Sequence, residues 1–154
     1  MDSPVLSLIV PCRNGAPVIA ASLTALGAYL EAWRAAHGDF ELIVVDDGST
    51  DDTARIVREG FPWVRLLSLP ENRGKGGAVR AGMAAARGAV RIFTDADLPF
   101  EVSAIGGIAA CLLTEDFDLC VGTRREGDVW PAAERTFLRR LSSDVFARLV
   151  GISV

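Results

Sequence analysis

Five short apolar runs, each closed by glycine, proline or charged residues and each separated from the next by helical periodicity, leave this chain few architectures. The runs span 5–10, 41–45, 64–69, 89–94 and 117–122 and are rich in Val, Ile and Leu, which is how buried strands read. Between them, Ile19, Leu23, Leu26, Leu30 and Trp33 keep the spacing of one helix face, and 51–59, 75–87 and 101–114 are further helical stretches. Thr50 or Ser49 is placed to cap the second helix, with Asp51 and Asp52 in its first turn. Regular alternation of near-continuous apolar strands with helices predicts an α/β, Rossmann-like fold: a mostly parallel sheet with helices on both faces. A last stretch, 132–150, carries Leu138, Leu141, Val145 and Leu149 on one face and reads as an amphipathic helix. Its apolar face needs cover, and a homo-oligomer contact is one way to supply it.

With 154 residues, half of them hydrophobic, the chain has material for one domain with a substantial core. A net charge of −4 gives no global field that would draw it to nucleic acid, so any anion must be gripped locally. The cysteines, Cys12, Cys111 and Cys120, are odd in number and lack metal-ligand spacing, which points to a reducing cytoplasm rather than a disulfide framework. The amino terminus does not read as a secretory signal. No apolar stretch approaches the roughly 20 residues of a spanning helix, so the expected place is the cytoplasm, or the cytoplasmic face of a membrane as a peripheral protein.

In open α/β sheets, ligands bind at the carboxyl ends of the strands. Here those ends read VPCRNG, VVDDGSTDDT, PENRGKGGAVRAG, TDADLP and VGTRRE. In a strand, residues two apart point the same way, so Asp95 and Asp97 would share one field and call for a cation, a proton or solvent between them. Carboxylate oxygens at a ligand rim suit Mg²⁺ or Mn²⁺, ions that keep positions open for substrate phosphates. The glycine-rich stretch around Gly74 and Lys75 opens a helix, where backbone N–H groups approach phosphate closely and Lys75 or Arg73 adds charge. It has neither the Walker A spacing nor the dinucleotide fingerprint. Asp46 and Asp47 read as strand-end acids able to accept hydrogen bonds from a nucleoside, while Asp51 and Asp52 read as helix-capping acids. His37, the only histidine, precedes Gly38 at a helix end and reads as solvated; Trp33, Trp63 and the cysteines read as packing residues. Arg124, Arg125, Arg135, Arg139 and Arg140 form either a solvated face or a phosphate clamp.

Taken together and in this order, LIVPCRNG, VVDDGSTDDT, NRGKGGAVRAGM, TDADLP and VGTRRE resemble the family 2 inverting glycosyltransferases of GT-A fold. The resemblance covers nearly all of residues 1–154, and the RGKGGAVRAGM series looks most like the branch acting on dolichyl or polyprenyl phosphates. It implies transfer of a sugar from a nucleoside-diphosphate sugar, UDP-glucose before GDP-mannose, to a polyprenyl phosphate. Pro11, Arg13, Asn14 and Asp47 would then border the nucleoside, with Asp46 beside it and Gly74 and Lys75 closing over it. Asp95, Ala96 and Asp97 would be the D-x-D segment on the diphosphate, with both aspartates on the metal. Arg124, Arg135 and Arg139 match arginines placed to hold the acceptor phosphate, and the resemblance counts Asp95, Asp97 and Arg124 as the catalytic residues. Relatives often carry Tyr where Arg13 stands. They also continue past the equivalent of Val154 with a D-x-x-C-G-type segment, so the acceptor side is expected to be incomplete here and donor binding to outlast turnover.

One rival fits the acids alone. A receiver-type signalling domain also has paired strand-end acids, here Asp46 and Asp47, and a later strand-end phosphoacceptor aspartate, here Asp95, with Thr123 beyond it. Against it stand the complete βα unit at 5–38 before the acid pair and the lack of a lysine at the fifth strand end, Lys75 being the only lysine.

Overall fold

The computed structural model describes residues 3–114 and 117–122. Its elements run β1 (Leu6–Cys12), α1 (Ile19–His37), β2 (Phe40–Asp46), α2 (Thr53–Gly60), β3 (Arg65–Ser68), α3 (Gly74–Ala85), β4 (Val90–Phe93) and α4 (Ser103–Thr114). All strand pairs are parallel and the order is β3-β2-β1-β4. Leu6 to Cys12 runs beside Phe40 to Asp46 on one side, and Leu6 to Ile9 beside Val90 to Phe93 on the other. The chain therefore steps outward from β1 to β3, then crosses back to place β4 against the opposite edge of β1. That reversal makes the boundary between β1 and β4 the switch point of an open α/β sheet.

Alternation along the strands sends two different surfaces to two layers. Leu6, Leu8 and Val10 of β1, with Leu42 and Val44 of β2, pack under α1, α2 and α4; Ile9, Ile43 and Val45 face α3. The five apolar residues spaced along α1 are all buried, as their periodicity requires. Gly38, at φ +106°, ends that helix in a conformation glycine adopts freely, and its N–H bonds to Arg34 O at 3.0 Å. His37 is exposed and stacks on Trp33 with ring centroids 4.7 Å apart. On the other layer, a Cβ on Gly82 would lie 2.4 Å from Ile9 Cγ2, so α3 seats closely on β1 only because that side chain is missing.

Two expectations need correction. The run 117–122 is not a strand: Leu119 and Val121 are 77% and 67% exposed, and among the described residues the sheet ends at β4. An apolar run becomes a strand only where a ladder partner and a covering layer meet it, and no described strand pairs with this one. The cap of α2 also differs. Ser49 Oγ accepts from Asn14 N and Thr50 N donates to Asn14 Oδ1, so both are engaged by the β1 loop. Asp51 instead holds the start of α2, its Oδ1 accepting from Thr53 N at 3.0 Å.

At the opposite end of the sheet lies a buried carboxylate. Glu41 is 8% exposed, accepting from Ser7 Oγ at 2.7 Å, from Arg87 N at 2.6 Å and from the Arg87 guanidinium at 3.2 Å. Burial pushes this carboxyl upward, but the donors from Ser7 and Arg87 outweigh it and hold it below the ordinary range. A depressed carboxyl contributes stability above its unfolded-state pKa, and that contribution fades as pH falls through the folded value. Glu41→Gln is therefore expected to lower the urea midpoint at pH 7 and to make the loss of stability on acidification shallower than in the wild type. Parallel pH profiles for both proteins would refute this role.

Candidate active site at the strand ends

Three loops build the crevice, and each is tied to another by a side chain. After β1 the chain turns at Asn14, a non-glycine residue at φ +51°, whose amide oxygen accepts from Thr50 N at 2.9 Å. Gly15 N donates to Thr53 Oγ1 at 2.8 Å and Ala16 N to Asp51 Oδ2 at 3.1 Å, which fastens the β1 loop to the start of α2. Asp51 sits below the usual carboxylate range, chiefly because Thr53 donates to it. The β2 loop is closed by Asp46, 5% exposed, whose Oδ1 accepts from Ser49 N at 3.1 Å. Asp47, 3% exposed, reaches across to the loop before α3, where its Oδ1 accepts from Arg73 N at 2.7 Å. Gly48 allows that approach at φ +65°, since a Cβ there would lie 2.8 Å from Asn72 N. Gly74 turns at φ +72° with its N–H on Asn72 Oδ1, and α3 begins.

A cleft of about 360 Å³ opens between these loops, lined by Pro11, Cys12, Arg13, Asp47, Asn72, Gly74, Lys75 and Ala78. Of the positions assigned to the nucleoside, Pro11, Arg13, Asp47, Gly74 and Lys75 are thus brought together. Asn14 and Asp46 are not in the lining; the turn hydrogen bonds above are what they supply. Cys12 and Asn72 are wall residues that the sequence reading did not single out. Burial, then the nearby carboxylates of Asp46 and Asp51, push the Cys12 thiol up to about 11, so at neutral pH it is an uncharged, apolar part of the wall.

Beyond β4 the geometry departs from the strand argument. The strand ends at Phe93, and Asp95 to Leu98 form a turn closed by Leu98 N on Asp95 O at 3.1 Å, with Leu98 at φ +46°. Asp95 and Asp97 are therefore turn residues, and the same-side rule for strands does not govern them. Asp97 is exposed, while Asp95 Oδ1 meets Lys75 Nζ at 2.5 Å across the crevice. Ser22, a lone hydroxyl in the apolar stripe of α1, donates to Ala96 O at 2.6 Å and moors the turn. A serine on that buried face was the available signal, and it is weak without the fold. No group of three or more His, Cys, Asp or Glu side chains gathers around a metal position among the described residues. Two carboxylates with a cation already drawn to one of them nevertheless suit a hard divalent ion whose other ligands come from phosphate and water. Arg124, Arg125, Arg135, Arg139, Arg140, Thr123 and the expected helix over 132–150 lie outside the described residues. No helix among the described residues is long and apolar enough to cross a membrane.

The strand order also separates the two readings of the acids. In the 2-1-3-4-5 order of a receiver, the acid-pair strand and the phosphoacceptor strand are neighbours. Here β1 lies between β2, which carries Asp46 and Asp47, and β4, which leads to Asp95.

A parallel sheet with this crevice is the GT-A fold, and solved glycosyltransferases superpose on it. One is glucosyl-3-phosphoglycerate synthase from Mycobacterium tuberculosis in complex with Mn²⁺, UDP and glucosyl-3-phosphoglycerate, at TM-score 0.57 and 26% identity over 73% of this chain and 41% of that one. Another is a mannosyltransferase from Pyrobaculum calidifontis in complex with GDP-Man and Mn²⁺, at TM-score 0.54 and 28% identity over 72% and 33% of the two chains. The glycosyl transferase family 2 profile matches residues 7–140, and the chain belongs to that family. Among curated proteins it is 36% identical to the dolichyl-phosphate beta-glucosyltransferase of Drosophila melanogaster, across 97% of this chain and 50% of that one. It is 34% identical to the dodecaprenyl-phosphate galacturonate synthase of Rhizobium johnstonii, across 98% and 44%. The chain spans about half the length of the curated relatives it matches.

Proposed function

We propose that the chain binds a nucleoside-diphosphate sugar at this crevice and belongs to an enzyme that transfers the sugar to a polyprenyl phosphate, with inversion at the anomeric carbon. UDP-glucose is the favoured donor and GDP-mannose the next. The convergence of Asp47, Lys75 and Asp95 on one crevice carries the reading: an acceptor for nucleoside hydroxyls or base N–H, a cation, and a carboxylate for a metal. Relatives named for dolichyl-phosphate glucosyl transfer and dodecaprenyl-phosphate galacturonate synthesis support a lipid phosphate acceptor. Neighbours solved with Mn²⁺ and UDP or GDP-Man support the donor class.

In this reading Pro11 and Arg13 flank the nucleoside and Asp47 hydrogen-bonds it, while Gly74 and Lys75 cover the diphosphate. Asp95 and Asp97 hold Mg²⁺ or Mn²⁺, which when bound supplies positive charge against the developing negative charge of the leaving nucleoside diphosphate. An oxygen of the acceptor phosphate forms the new bond to the anomeric carbon as the bond to the β-phosphate oxygen breaks, its electron pair leaving with the nucleotide. That acceptor is already ionised, so no strong general base is required. Arg124, Arg135 and Arg139 are the proposed holders of its phosphate. A lipid acceptor places the work at a membrane surface.

Asp47→Ala tests the assignment. It removes a buried acceptor facing the nucleoside and is expected to cost about 1–3 kcal/mol of nucleotide affinity in calorimetric titration. Wild-type affinity in a folded Asp47→Ala protein would contradict it.

A further inference from the structure

The ion pair between Lys75 and Asp95 joins two residues to which the proposed function gives separate tasks. Lys75 stands in the first turn of α3, where a cation opposes the helix dipole and is disfavoured unless an anion faces it. The anion it finds is Asp95, reached across the crevice from the far side of β1 at 2.5 Å. Both side chains are accessible, 60% and 40% exposed, so water and ions reach the contact and the pair is worth little. Lys75 also lines the cleft, so its ammonium has a second destination close by once an anion enters. Gly74 and Gly76 beside it have open space where side chains would project, so nothing at those two positions pins it.

We propose that Lys75 is a resident stand-in for the divalent cation: it neutralises Asp95 while the cleft is free of nucleotide and yields that carboxylate when a diphosphate offers it another anion. The inference rests on the nucleotide-sugar reading of the site. A lysine ammonium and a divalent ion cannot both sit against Asp95 Oδ1, because like charges at that separation repel strongly. Metal alone must therefore displace Lys75 into solvent, whereas metal arriving with a diphosphate moves Lys75 from one anion to another. The chain is thereby biased against holding bare metal and toward taking metal and nucleotide together. Lys75 acts here as a positioning residue, gating access to the carboxylate.

Mn²⁺ binding followed by electron paramagnetic resonance, with and without UDP or GDP, tests the exchange without reference to turnover. Lys75→Gln removes the competing charge and is expected to bind Mn²⁺ about two- to fivefold more tightly than wild type in the absence of nucleotide, the scale of an accessible ion pair. With nucleotide present the same substitution is expected to weaken Mn²⁺ uptake, because the second anion has lost its partner. Lys75→Arg, which keeps the charge, is expected to follow the wild type without nucleotide. A change of opposite sign in the two conditions is a signature that loss of packing alone does not produce. Unchanged Mn²⁺ affinity of Lys75→Gln without nucleotide, in a protein that still takes up Mn²⁺ with nucleotide, would overturn the stand-in and leave the functional reading in place. Failure of wild type to take up Mn²⁺ even with nucleotide would overturn both.

Discussion

Gly48→Val is expected to lower stability by about 3 kcal/mol and to abolish measurable nucleotide binding. The left-handed conformation at φ +65° costs an L side chain about 1–2 kcal/mol, and a branched one more. A Cβ here would also lie 2.8 Å from Asn72 N and 2.9 Å from Glu71 C. Those are backbone atoms, which cannot rotate away, so the β2 loop and the loop before α3 must separate. Their separation breaks the contact of Asp47 with Arg73 N and opens the wall formed by Asp47 and Asn72. Gly60→Ala supplies the control: it ends α2 with nothing within 4 Å of the added atom, and is expected to change stability by less than about 1 kcal/mol. Urea unfolding reads the first effect and titration with UDP or GDP the second. A Gly48→Val protein that keeps both stability and nucleotide affinity would show that the two loops need not touch.

Asp95→Ala is expected to remove most of the metal-dependent part of nucleotide affinity while leaving the fold nearly unchanged. Its side chain is 40% exposed and its ion pair is accessible to solvent, so removal is expected to alter stability by less than about 1 kcal/mol. As the proposed direct ligand it should matter to the metal at least as much as an outer-shell partner, about 10–100-fold. Mutual stabilisation by ligand and metal makes the effect visible in thermal unfolding. Wild type should gain from Mn²⁺ and UDP together well beyond the sum of their separate shifts, and Asp95→Ala should not. Asp97→Asn should weaken the metal increment more than the fold. Retention of the joint shift by Asp95→Ala would move the metal elsewhere.

How much of this was readable in the residues differs by element. The periodicity of Ile19, Leu23, Leu26, Leu30 and Trp33 marks α1 because each of those side chains is buried by the sheet beneath it. The βα alternation likewise carries the parallel sheet and its two covering layers, since β1 and β2 are buried on both faces and apolar at most of their positions. The run 117–122 has the same composition without a ladder partner among the described residues, and composition alone does not distinguish the two cases. At the rim, the acids and glycines point to a candidate ligand site through their place at strand ends, but not to their individual tasks. Asp46 and Asn14 are spent on turn hydrogen bonds, Asp47 joins two loops, and Asp51 rather than Ser49 or Thr50 holds α2. Those partners are 2 to 36 residues away along the chain, and the distant ones become neighbours only once the loops have met. The turn at Asp95 to Leu98 was hidden for another reason: a strand's carboxyl end is set by where its ladder stops, at Phe93 opposite Ile9.

The central claim is that the strand-end crevice takes a nucleoside diphosphate together with a divalent cation. Calorimetric titration of the chain with UDP, UDP-glucose, GDP and GDP-mannose, each in Mn²⁺ and again in EDTA, tests it most directly. One base is expected to bind, with affinity at least about tenfold greater in Mn²⁺, roughly 1.4 kcal/mol of coupling. Absence of binding by all four ligands in Mn²⁺, or affinities unchanged by EDTA, would contradict it.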